Sequence, residues 1–161
     1  MIVLDEQLLG DGLEIEIAKW YRGAIKYITD LRLGTIIKDD AIAQLLRQQN
    51  QPTFITINEK DFWRRIAIDK RFCVICFTLP TSQVNEIPQS LRALLLRPEF
   101  RTKAKRMGTI IRVTSQEISY YTFKNKQAKI IPPSIESKRL FEKWLRFTGQ
   151  KLKELFLCFC F

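Results

Sequence analysis

Ile2-Val3-Leu4 is a short apolar run that stops at Asp5-Glu6, the pattern of a buried strand with acids at its carboxyl end. Leu13, Ile17, Trp20/Tyr21, Ala24 and Ile28 then recur at helical spacing and predict a helix, although Glu14-Ile15-Glu16-Ile17 also alternates as a strand would. Asp39 precedes Asp40-Ala41-Ile42-Ala43-Gln44-Leu45-Leu46, and a carboxylate at that N-cap predicts a second helix over about 40–49, ended by Pro52. Thr53 to Ile57 is β-branched and aromatic, and polar residues follow at Asn58-Glu59-Lys60-Asp61; Phe72 to Leu79 is a third apolar run closed by Pro80.

Ile87-Pro88 opens a helical stretch with Leu91, Leu94 and Leu95, and Pro98 is expected to restart a helix carrying Phe100, Ala104 and Met107 up to Gly108. Thr109–Thr114 and Ile118–Phe123 flank a polar turn and predict a β-hairpin. Leu140, Phe141, Trp144 and Leu145 predict a last helix. This order is that of an α/β fold: a central, mainly parallel sheet with flanking helices, then a hairpin and a C-terminal helix. Residues 1–123 are expected to form the domain. The polar stretch from Lys124 to Pro133 reads as a linker, which makes 124–161 a helical appendage.

Composition narrows the chemistry. The chain of 161 residues has no histidine, which removes Ser-His-Asp and Cys-His pairs, imidazole zinc sites and a histidine base. Its net charge of +10 is uneven: residues 1–70 hold 11 acids and 10 bases, residues 71–161 hold 6 acids and 17 bases. That asymmetry suits a polyanionic partner met by the second half, and equally a solvated basic surface. With acids at positions 5 and 6 and no basic, apolar leader, the N-terminus has neither the pattern of a signal peptide nor that of a membrane anchor, and a cytoplasmic location is expected. The apolar end, Leu155–Phe161, is too short to span a bilayer and makes self-association plausible. Cys73 and Cys76 fall on opposite faces of the third strand, Cys158 and Cys160 have no partner pair at zinc-site spacing, and all four are expected to be apolar filler.

Ligands of an open parallel sheet bind beyond the carboxyl ends of its strands. Asp5 and Glu6 end the first strand, Glu59 and Asp61 follow the second, and Asp39, or its neighbour Asp40, opens the helix leading into it. Carboxylates gathered there repel one another unless a hard divalent cation sits between them. Singly, each has a plainer role: Asp39 as an N-cap, Asp61 in a turn, Glu6 facing solvent.

I-V-L-D-E-Q at 2–7, T-D-L at 29–31, D-D-A-I at 39–42 and T-I-N-E-K-D-F at 56–62 together resemble the compact PIN-like family of bacterial proteins, over roughly the first 80 residues. The resemblance implies a ribonuclease dependent on Mg²⁺ or Mn²⁺, often the toxin of a toxin–antitoxin pair, with Asp5, Asp39 and Asp61 as metal-binding acids and Glu6 and Glu59 assisting. Asn58 departs from the fuller pattern, in which many relatives place another Asp near the end of the second strand. The other reading is a PIN-like scaffold that binds RNA or a protein partner without catalysis. RNA is expected to meet Arg97, Arg101 and Lys105, which at four-residue spacing share one face of the helix expected there and should lie on the same side of the molecule as Asp5 and Asp39. In Phe62-Trp63-Arg64-Arg65, aromatics stand beside bases and can stack an unpaired base; Phe62 reads as core, while Trp63 reads either way.

Overall fold

The computed structural model describes residues 1–32 and 39–132. Seven strands form one sheet in the order β2-β1-β3-β4-β5-β6-β7: β1 Ile2–Leu4, β2 Ile25–Tyr27, β3 Thr53–Thr56, β4 Cys73–Phe77, β5 Thr109–Val113, β6 Ile118–Thr122 and β7 Lys129–Ile131. The first five are mutually parallel, and β6 and β7 add antiparallel pairings at one side. Helices are α1 Leu13–Ala18, α2 Asp39–Gln48, α3 Glu59–Phe62, α4 Ile87–Leu96 and α5 Lys103–Arg106. None of the described helices is long and apolar enough to cross a membrane.

The central strands are buried on both faces, so their alternating side chains feed two separate cores. Ile2, Leu4, Ile55, Cys73 and Ile75 pack under α1 and α4 against Leu13, Ile17, Ile87, Leu91 and Leu94. Val3, Phe54, Val74 and Cys76 face the other way, against Ile42, Leu45 and Leu46 of α2 and Phe62 of α3. Cys73 and Cys76 thus lie on opposite faces, as their spacing requires.

Three expectations need correction. The helical spacing of residues 13–28 is broken after Ala18: the chain turns through Gly23, and Ile25-Lys26-Tyr27 pairs with β1 as a strand. No helix restarts at Pro98. Arg97 ends α4 with an extended backbone, and the next helical turn begins only at Lys103, where the Thr102 hydroxyl accepts the Lys105 N–H at 3.3 Å as an N-cap. Arg97, Arg101 and Lys105 therefore share no helix face. Finally, the stretch read as a linker contributes β7, because Ile130 and Ile131 favour a strand beside β6. The helix expected around Leu140–Leu145, the apolar end Leu155–Phe161, and Cys158 and Cys160 lie outside the described residues.

Gly108 joins α5 to β5 with φ +76°, and a Cβ there would stand 3.3 Å from the Lys70 Cα. Its N–H donates to Phe72 O at 2.8 Å, holding the start of β5 against the start of β4. Gly108→Ala is expected to cost about 1–2 kcal/mol, from the left-handed backbone together with that close approach, and to lower the urea midpoint accordingly.

Candidate functional site

The strand order turns outward on both sides between β1 and β3, the position at which an open parallel sheet leaves a crevice at its carboxyl edge. Asp5 sits there. Its backbone N–H still pairs with Ile55 O at 2.9 Å, so the residue is held at the end of the β1–β3 ladder, and it is only 4% exposed. The Thr56 hydroxyl, at the end of β3 and fully buried, donates to Asp5 Oδ2. Thr56 Oγ1 in turn accepts the Asn58 N–H at 2.9 Å.

Asn58 caps α3. Its Oδ1 accepts the Asp61 N–H at 3.3 Å while its Nδ2 donates to Asp61 Oδ2 at 2.6 Å. An aspartate at position 58 would set a second carboxylate at hydrogen-bond distance from that of Asp61 with no proton between them, whereas the Asn58 amide donates to it. Arg65 pairs with the other Asp61 oxygen at 3.2 Å. Asp5, Thr56, Asn58 and Asp61 thus form one hydrogen-bonded line along the edge.

Glu59 belongs to a second arrangement beside the first. It accepts from the Thr78 hydroxyl at 3.0 Å, just past β4, and from Arg112 Nη1 at 3.1 Å, near the end of β5. Arg112 also reaches Glu117 at 3.1 Å and lies 5.1 Å from the Trp63 ring centroid. Glu6 is exposed in a single 3₁₀ turn, Glu6–Leu8, outside both arrangements. Asp39 opens α2 as expected; its side chain, like that of Asp40, lies outside the described residues. Among the described residues no group of three or more His, Cys, Asp or Glu is placed to hold a metal ion.

The basic residues divide between the two edges of the sheet. Arg65 pairs with Asp61 at the carboxyl edge, whereas Arg64 reaches the other way, to the Lys126 carbonyl in the turn after β6, whose end pairs with the start of β5. α5 instead precedes β5, and Gly108 bonds to Phe72 just before β4, so Arg101 and Lys105 lie by the amino ends of strands whose carboxyl ends face the Asp5 side. The expectation that they share a side with Asp5 is therefore corrected, and the reason is the short α5: a chain about to enter a parallel strand is at its amino edge. Lys105 Nζ donates to Pro98 O at 2.7 Å, and Arg97 Nη1 donates to Pro132 O at 2.9 Å, so both side chains are engaged with backbone.

Thr56, Thr78, Arg112 and Tyr121 were not singled out from sequence. For Arg112 a signal exists: a basic residue inside the β-branched run Thr109-Ile110-Ile111-Arg112-Val113 must find an anion or an aromatic face, and it finds both. Burial pushes the Tyr121 phenol up to about 12, with Arg64 opposing, so it stays protonated and donates to Trp63 O at 2.5 Å.

Cys73 and Cys76, both buried, take no part in either arrangement. Burial pushes the Cys73 thiol up to about 11 and raises Cys76 further, which leaves almost no thiolate at neutral pH. At pH 8, both are expected to resist a thiol reagent in the native protein and to react once denaturant is added; mass mapping of the labelled positions checks this. Comparison of the chain with family models, with curated proteins and with solved structures gives no match.

Proposed function

We propose that this chain is a PIN-like ribonuclease that hydrolyses RNA phosphodiesters with Mg²⁺ or Mn²⁺ at the carboxyl edge between β1 and β3. The observation that carries the reading is Asp5, a carboxylate buried at the end of a central strand at the point where the strand order diverges. The donors along this edge are carboxylate, hydroxyl and amide oxygens, the chemistry a hard divalent cation takes. Asp5 and Asp61 would hold the ion, with Asp39 as the further acid that the family resemblance supplies. When bound, the ion supplies Lewis-acid polarisation of a phosphodiester oxygen and a more acidic water.

The chain's own residues prepare that step. Thr56 fixes the Asp5 carboxylate by its hydroxyl, and Asn58 orients Asp61 through two bonds. Arg65, which now pairs with Asp61, is placed to exchange that partner for an RNA phosphate. Glu59 is neutralised by Arg112, so as an assisting acid it acts only after that pair opens. The setting proposed is a cytoplasmic toxin restrained by an antitoxin protein. Labelled single-stranded RNA incubated with Mn²⁺, with and without excess EDTA, tests the activity: cleavage in Mn²⁺ abolished by chelator is the expected result, and cleavage indifferent to EDTA would defeat it.

A second reading is a PIN-like module that binds RNA without turnover. It is favoured by one observation: Asp61 and Glu59 are each already paired with an arginine. Its signature is salt-sensitive RNA binding with no cleavage in Mg²⁺ or Mn²⁺.

A further inference from the structure

We propose that Trp63 and Tyr121 form a stacking platform for one unpaired base of single-stranded RNA, taken up at the position the Arg64 guanidinium now covers. The inference rests on the RNA reading above and adds the form of RNA that the site accepts.

Trp63 caps the carboxyl end of α3, two residues beyond Asp61, and the place Arg64 takes on its ring lies toward the Lys126 carbonyl of the β6–β7 turn, so an RNA strand stacked there would run from that turn toward the acid line. The two rings meet edge to face, with centroids 5.1 Å apart and planes at 72°. The Tyr121 hydroxyl bond to the Trp63 carbonyl ties β6 to the end of α3 and fixes the pair as a unit. Tyr121, only 5% exposed, braces the edge of Trp63, and the flat apolar face offered to a base is that of Trp63, with little entropy left to lose on binding.

Two guanidinium groups lie over the Trp63 ring, and they are held very differently. Arg112, 5.1 Å from the centroid, is pinned by Glu59 and Glu117, and its side chain is 28% exposed. Arg64 is 5.3 Å from the Trp63 centroid and 4.9 Å from that of Tyr121; it is exposed, and it donates at 3.2 Å to the Lys126 carbonyl at the surface. Arg112 is the fixed cation and Arg64 the exchangeable one. A planar, delocalised guanidinium on an aromatic face occupies the place that a nucleobase would fill. When a base displaces it, the Arg64 charge swings toward the adjoining phosphates, near the exposed Lys124 and Lys126. Stacking of this kind needs an exposed base face, which a duplex hides, so the platform selects single strands.

The 161-residue chain in EDTA, which separates binding from any cleavage, is mixed with an adenylate hexamer or with a duplex of the same length, and both anisotropy and tryptophan fluorescence are followed. The parent is expected to bind the single strand with tryptophan quenching, and the duplex at least about tenfold more weakly. Trp63→Leu should weaken single-strand binding by roughly five- to a hundredfold and remove the quench; Trp63→Phe should keep most of the affinity, and Trp20→Phe should keep the quench. Arg64→Ala, at an exposed position that leaves folding intact, should flatten the salt dependence by about one phosphate contact.

Parent protein that binds neither ligand, or binds both equally, overturns the proposal, as does a folded Trp63→Leu that binds like the parent. Should Trp63→Leu fail to fold, Arg64→Ala decides: an unchanged salt slope means that Arg64 only packs on the rings, and the platform falls. Cleavage in Mn²⁺ with unchanged KM in Trp63→Leu removes the platform and keeps the nuclease. Quenched single-strand binding without cleavage in Mn²⁺ keeps the platform and removes catalysis.

Discussion

Asp5→Asn is expected to lower Mn²⁺-dependent RNA cleavage by at least about a hundredfold while leaving the protein folded. Even outer-shell partners of a metal site are worth roughly ten- to a hundredfold, and Asp5 is assigned as a ligand itself. The substitution is nearly isosteric, and the amide oxygen still accepts from the Thr56 hydroxyl, so the buried hydrogen bond survives while the charge is lost. Asp5→Ala differs in the opposite respect: it strands the fully buried Thr56 hydroxyl and should destabilise the fold by about 1–3 kcal/mol on top of any catalytic loss. Measuring thermal unfolding beside cleavage separates the two effects. If Asp5→Asn and the parent cleave at the same rate under identical metal and chelator conditions, Asp5 has no catalytic role and the ribonuclease reading fails with it.

Phe54→Ala carries the largest expected effect on stability. The ring is fully buried in the middle of β3, with Val3, Val74 and Leu46 in the same core, and it meets Phe62 at a centroid distance of 5.2 Å. Truncation removes the transfer free energy of the ring, leaves a cavity beneath α2 and α3, and breaks the aromatic pair, for a total of about 3–5 kcal/mol. Against an ordinary domain stability of about 5–15 kcal/mol this is a large fraction, and the melting temperature should fall by roughly 10 °C or more. Because Phe62 is one residue from Asp61 on α3, the same variant should also loosen the edge that carries Asn58 and Asp61. Cleavage should then decline well below the melting transition. A melting temperature within a degree or two of the parent would show that the core closes around the gap.

The strands that could be read from sequence are the ones buried on both faces. Ile2–Leu4, Thr53–Thr56 and Cys73–Phe77 are unbroken apolar or β-branched runs because helices cover the sheet on each side, and such runs stand out against any periodicity. Ile25–Tyr27 did not stand out. It is three residues long, half exposed, and flanked by Ala24 and Ile28, which continue the helical spacing set by Leu13 and Ile17, so local pattern favoured the wrong element until pairing with β1 decided it. The Pro98 region failed for a related reason: Pro at a first helical position is permissive, but Thr102 offers a competing cap that delays the helix to Lys103.

At the site, Asp5 and Asp61 were legible because an acid placed just after a strand marks the carboxyl edge. Arg112 was not, since its role comes from sheet register. It stands opposite Cys76 on one side and Ser119 on the other, and reaches a glutamate 53 residues away in sequence. Only the assembled strand order brings those segments together.

Among the described residues the outermost strands of the sheet are three residues long, and each carries an exposed lysine: Lys26 on β2 and Lys129 on β7. An open sheet leaves a row of unpaired backbone donors and acceptors along each rim, ready to template a neighbouring chain. A short rim offers little register to such a neighbour, and an ammonium group set into it must be desolvated, or brought against its own copy, before two sheets can join. Lysines so placed are the gatekeeper pattern that opposes edge-to-edge growth at the two rims of the described sheet, whose central strands are rich in the β-branched sequence that fibrils favour.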